Sequence, residues 1–158
     1  MIGATVHTDF QQSGRVLVYD DDEILLNLLR LVLAREGYDI KATPCAQEGI
    51  RLISIQRFDL AIADLGLRRS NGHELIRKIR ERSPETAIMA VSAYPSDEVV
   101  RFARTHTQAF LDKPFSLIEF VHQVGSLLEQ GRESTETALG HSPAESGIDV
   151  TEVATWRG

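Results

Sequence analysis

The chain has 158 residues, 42% of them apolar, enough for one core-bearing domain plus tails. Its 17 Lys and Arg against 23 Asp and Glu give a formal charge of −6, the wrong sign for a module that grips nucleic acid directly. The single cysteine, Cys45, rules out an internal disulfide, and the five histidines fall at no zinc-ligand spacing.

No basic-then-apolar leader opens the sequence, and no apolar run approaches the roughly 20 residues of a membrane span. A soluble, cytoplasmic protein without membrane contact is expected. Residues 1–13 are polar and weakly patterned and are expected to form a flexible N-terminal arm. Arg15–Tyr19 (RVLVY) is a short β-rich run. Glu23–Arg35 is a strongly apolar helix pattern that Gly37 can stop with a left-handed cap. Tyr38–Ala42 reads as a weak strand, Ala46–Ile55 as a helix and Leu60–Ala63 as a buried strand. Glu74–Arg82 reads as a helix ended by Ser83-Pro84, and Ala87–Val91 as a further apolar strand. Ser96–Arg104 is a helix pattern with Ser96 as its cap, and Ala109–Leu111 a fifth strand. The last helix, Ser116–Glu129, opens on the capping box Ser116-Leu-Ile-Glu119. Residues 132–158 are rich in Ser, Thr, Glu and Gly and are expected to be a disordered tail. Ile148, Val150, Val153 and Trp156 fit a solvated tail better than a docking peptide.

Strict β-α alternation with continuous apolar strands predicts an α/β fold. Five such units over residues 14–131 fit a doubly wound (βα)5 three-layer sandwich on a five-stranded parallel sheet. Ligands of such folds sit at the carboxyl ends of the strands, near the switch in strand order. Asp20, Asp21, Asp64, Ser92 and Lys113 all follow strand candidates.

Those residue types suit magnesium-assisted phosphoryl transfer. One Asp suffices to cap a helix, but the triplet Asp20-Asp21-Asp22 repels itself unless a divalent cation removes the cost. Asp64 could cap a loop, or attack phosphorus to give an acyl phosphate. Lys113 can screen the charge of the transferred group, although Lys113-Pro114 is also an ordinary turn. Ser92 offers a hydroxyl, and Ala93 leaves room beside it. Each piece alone is weak; their order carries the reading.

Together these residues resemble the receiver domains of two-component response regulators, whose fold is flavodoxin-like. The resemblance rests on Val16-Leu-Val-Tyr-Asp20-Asp21-Asp22-Glu23, Asp59-Leu-Ala-Ile-Ala-Asp64, Gly72, Val91-Ser92-Ala93 and Phe110-Leu-Asp-Lys113-Pro114-Phe115. It implies Asp64 as phosphoacceptor. It implies Mg2+ held directly by Asp21 and Asp64, by Asp20 mainly through water, and by the backbone carbonyl of Gly66. Ser92 and Lys113 would bind the phosphoryl group, and Phe110 would be the switch aromatic. Asp22 is expected to start the helix rather than bind metal. The implied donor is a sensor histidine kinase or a histidine phosphotransfer protein, with an unidentified downstream protein receiving the signal. Such a protein carries a signal and is not an enzyme.

Some positions depart from the family pattern. Arg68, followed by Arg69, stands where many receivers have Pro. Thr105-His-Thr-Gln108 replaces a small, Gly-rich approach to the fifth strand. Gly66 gives no side chain to orient a hydrolytic water and Tyr94 can shield the phosphoryl group, so slow self-dephosphorylation is expected. Val99, Val100, Phe102 and Ala103 fit either the core or a homodimer interface. Two other readings compete: a pseudo-receiver acting as a phosphorylation-independent interaction module, and a small-molecule-binding flavodoxin-like or phosphatase-like domain. The second would want a Gly-rich phosphate loop where this chain has carboxylates.

Overall fold

The computed structural model describes residues 14–66 and 71–140. The expected arm, Arg68 and Arg69, and the end of the tail lie outside the described residues. In chain order the elements are β1 (Arg15–Tyr19), α1 (Glu23–Arg35), β2 (Asp39–Thr43), α2 (Ala46–Ile55), β3 (Leu60–Asp64), α3 (Asn71–Arg82), β4 (Ala87–Ser92), α4 (Asp97–His106), β5 (Ala109–Asp112) and α5 (Leu117–Ala138). The five strands form one parallel sheet in the order β2-β1-β3-β4-β5, the flavodoxin-like doubly wound arrangement.

Alternation along each strand divides the core in two. Leu17, Ala61, Ala63, Ile88 and Ala90 pack with α2, α3 and α4 through Ile53, Leu75, Ile76, Ile79, Val99 and Ala103. Val16, Val18, Leu60, Ile62, Met89 and Val91 face α1 and α5 through Leu26, Leu29, Leu33, Phe120 and Val124. Both sheet faces are therefore covered, which is why the strands read as unbroken apolar runs. Val99 and Ala103 belong to the core, and Val100 and Phe102 pack partly buried against it.

Local chemistry sets the helix ends. Ser116 accepts from the amides of Ile118 and Glu119 at the start of α5. Gly37, at φ 88°, takes the left-handed turn after α1 that a side chain would strain. Some bounds differ from expectation. β2 lies one residue later, where Asp39 pairs with Arg15 in register and by a 2.9 Å ion pair. α3 already begins at Asn71, because Gly72 and His73 are buried in its first turn. α5 does not stop near residue 129 but runs on to Ala138, so residues 132–138 are helical rather than part of a disordered tail. That stretch is exposed throughout, and side-chain hydroxyls of Ser134, Thr135 and Thr137 bond back to carbonyls one turn earlier.

Candidate functional site

The sheet order reverses between β1 and β3; Asp20 directly follows β1 and Asp64 ends β3. Tyr19 pairs with Ala63, so Asp20 and Asp64 emerge side by side. Asp20 is 1% exposed and Asp64 is 7% exposed, whereas Asp21 stands in solvent. One carboxylate oxygen from each of the three lies within 4.8 Å of the other two. An all-oxygen set of this charge suits a small hard cation such as Mg2+. Asp22 is occupied elsewhere: its Oδ1 accepts from the amides of Ile24 at 3.0 Å and Leu25 at 3.1 Å, capping α1. Asp20 Oδ1 accepts from the Asp22 amide at 2.9 Å, which holds the turn between them.

Lys113 reaches this cluster from the end of β5. Its Nζ donates to Asp20 Oδ2 at 2.6 Å and lies 3.2 Å from Asp64 Oδ1. Burial pulls the ammonium pKa down, but the bond to Asp20 and the charges of Asp64 and Asp20 outweigh it and leave it raised. Behind Pro114, Phe115 stacks on Phe120 with centroids 5.4 Å apart, anchoring the loop that carries the lysine. Asp64 is pushed the other way from an ordinary carboxyl. Its desolvation raises the pKa to about 6; Lys113 opposes the rise, and Asp20 and Asp21 add to it. A carboxylate so placed is ionised at pH 7 yet poorly solvated, a state in which it is a competent nucleophile.

Ser92 ends β4 and is fully buried. Its hydroxyl donates to the Leu65 carbonyl at 2.7 Å and accepts from the Tyr94 amide at 3.1 Å. It therefore stands beside Asp64 through the next residue's backbone rather than on the carboxylate itself. Phe110 is 8% exposed and packs in the core. It also borders a cavity of about 450 Å³ against α4, shared with Val100, Arg101 and Asp112. Gly66, half-buried, lies two residues past Asp64 at the end of the described stretch.

Sequence reasoning missed two features. Tyr19 is buried, and its phenol is pushed up first by burial and then by Asp21, Asp64 and Asp20, so it flanks the acidic cluster. Arg80 ties four segments together at the opposite end of the sheet. Its guanidinium donates to the carbonyls of His106, Pro84 and Thr86 and to Gln108 Oε1. Nothing in the run Ile76-Arg-Lys-Ile-Arg80 distinguishes that arginine from its solvated neighbours.

A family model described as the response regulator receiver domain matches residues 16–125. The chain belongs to this family. Among similar proteins, the transcriptional regulatory protein GlrR of Escherichia coli K12 is 30% identical over 124 residues, 78% of this chain but 28% of GlrR. The response regulator MprA of Mycolicibacterium vanbaalenii is 29% identical over 138 residues, 87% of this chain and 59% of MprA. The chain thus spans less than two thirds of each of these relatives. Among solved structures, a CheY-like receiver domain from Methanospirillum hungatei JF-1 superposes with a TM-score of 0.73 at 27% identity, covering 77% of this chain and 98% of that one. The response regulator TrrA of Thermotoga maritima, in complex with Mg2+-BeF, gives 0.64 at 25% identity over 72% of this chain and 98% of that one.

Proposed function

We propose that this receiver accepts a phosphoryl group on Asp64 from a phosphohistidine donor, with Mg2+, and thereby switches a protein-interaction face in a phosphorelay. The carrying observation is the meeting of Lys113 with Asp20 and Asp64 at 2.6 and 3.2 Å, beside three carboxylates spaced for one cation. Asp20, Asp21, Asp64 and the Gly66 carbonyl are the residues that would hold the metal. Bound there, Mg2+ would neutralise the pocket and the incoming phosphoryl oxygens. An Asp64 oxygen forms the new bond to phosphorus as the phosphorus–nitrogen bond of the donor breaks, and the released imidazole takes up a proton. Lys113 can turn from Asp64 to a phosphoryl oxygen with little movement. The group adds about −1.5 to −2 charge and three acceptor oxygens, for which the Ser92 hydroxyl exchanges its bond to Leu65.

The donor is a sensor histidine kinase or a histidine phosphotransfer protein, and the output passes to a downstream protein or a second copy of this chain. The protein carries the phosphoryl group and is not itself an enzyme. Its negative charge argues against direct nucleic-acid binding by this domain. Among the described residues no helix is long and apolar enough to cross a membrane, which accords with action in the cytoplasm. Tyr94, 56% exposed beside Ser92, supports a long-lived phosphoryl group shielded from water.

The test is incubation with Mg2+ and acetyl phosphate followed by intact mass. Wild type gains one phosphoryl group, while Asp64→Asn and Asp21→Ala do not. A wild type that takes no label from several donors would favour the phosphorylation-independent interaction module.

A further inference from the structure

Two of the three clustered carboxylates are held in place. Asp20 accepts from the Asp22 amide at 2.9 Å and from Lys113 at 2.6 Å, and Asp64 lies 3.2 Å from the same ammonium. Asp21 differs. It is exposed, and among the described residues no hydrogen bond or ion pair fixes its carboxylate. A ligand left free must be ordered when the cation binds, and a positioning contact removes that cost in advance.

Tyr19 ends β1, two residues before Asp21. It is 6% exposed and belongs to the apolar core on the side of α2 and α3, with Leu17, Ala63 and Leu65. That core can use the ring but has no use for the phenol oxygen. Among the described residues the Tyr19 hydroxyl has no hydrogen-bond partner, yet it is not sealed from water. A largely buried hydroxyl without a partner is costly, so its place at this strand end points to a partner in the acidic cluster. Burial is the first cause of its raised pKa, and the charges of Asp21, Asp64 and Asp20 follow in that order. The phenol therefore stays protonated and can donate, and Asp21 is the carboxylate that acts on it most. Mg2+ keeps several waters, and a water-mediated hydrogen bond holds nearly as well as a direct one. A phenol beside the cluster can thus act on Asp21 without touching it. We propose that Tyr19 is a positioning residue of the metal site, its hydroxyl fixing the exposed Asp21 carboxylate through water for the cation. Groups that orient a metal's ligands in this way commonly govern affinity by about 10- to 100-fold.

This inference rests on the proposed metal site, and its readout is metal affinity rather than phosphorylation. Full-length wild type, Tyr19→Phe, Asp21→Asn and the double variant are titrated with Mn2+, which suits the same oxygen ligands as Mg2+. The electron paramagnetic resonance of the free ion counts what is bound, and melts without metal verify that each protein folds. Phenylalanine keeps the ring and removes only the hydroxyl. Tyr19→Phe binds Mn2+ about tenfold more weakly than wild type. Asparagine keeps one oxygen for the cation and gives up the second acceptor, so in the Asp21→Asn background the loss of the hydroxyl has little further effect. A loss under about threefold in Tyr19→Phe, or the same loss repeated in the Asp21→Asn background, overturns the role of Tyr19 and leaves the metal site standing. A wild type that binds no Mn2+ overturns the metal site itself, and this inference with it.

Discussion

Asp64→Asn should stabilise the metal-free domain, and by an amount that depends on pH. The folded protein raises the Asp64 carboxyl from 3.8 to about 6, so it binds that proton more tightly than the unfolded chain does. The associated stability is complete below pH 3.8 and is lost as pH rises through about 6. At 1.36 kcal/mol per unit, the loss above pH 7 is about 3 kcal/mol. Asparagine keeps the shape and carries no charge at any pH. Lys113 then loses its contact at 3.2 Å but keeps Asp20 at 2.6 Å, so the substitution strands no buried cation. In EDTA at pH 7.5 the variant should be more stable by up to about 3 kcal/mol, or about 10 °C in Tm for a domain of this size. The gap should close toward pH 4 and, on the proposed metal site, narrow with Mg2+, which would satisfy the wild-type carboxylate. Circular dichroism melts across pH, with and without the metal, measure it. A variant less stable than wild type at pH 7.5 in EDTA, or a gap indifferent to pH, would refute the reasoning.

Three further outcomes are expected. Lys113→Ala leaves the buried Asp20 without its ammonium; urea denaturation in EDTA should show a loss of about 3 kcal/mol, and labelling by acetyl phosphate should slow. Asp22→Ala removes the α1 cap at a cost of about 1 kcal/mol but should retain full labelling, separating it from Asp21. Tyr94→Ala should shorten the phosphoryl lifetime, read as inorganic phosphate release from the purified phosphoprotein.

The alternation of strands and helices was legible because each strand is buried on both faces and each helix on one. The bounds of α1 and α2 follow from apolar periodicity between a polar start and a clear stop, Gly37 for α1. The site was legible for a related reason. A carboxylate, a hydroxyl and an ammonium at strand ends are residue types that neither strand nor helix requires there. Asp22 shows that chemistry can also sort adjacent identical residues, since only the one before Glu23 can cap α1. What sequence does not carry is the choice between two uses of one side chain. Arg80 is a solvated helix cation by pattern and a four-acceptor clamp by position. Phe110 packs in the core and also borders the open hollow beside α4. The helix over residues 132–138 eluded composition because a wholly solvated helix buries nothing, leaving no apolar stripe to read. His73 joins the first turn of α3, where its ring meets Phe102 of α4, a contact that no local propensity encodes.

The most direct test is to locate the covalent bond. Protein labelled with acetyl phosphate and Mg2+ is reduced with borohydride, which converts an aspartyl phosphate to homoserine, and its peptides are sequenced by mass spectrometry. Homoserine at position 64, and no modification when Mg2+ is withheld, is the predicted result. Homoserine at Asp20 or Asp21, or labelling indifferent to the metal, would contradict the account.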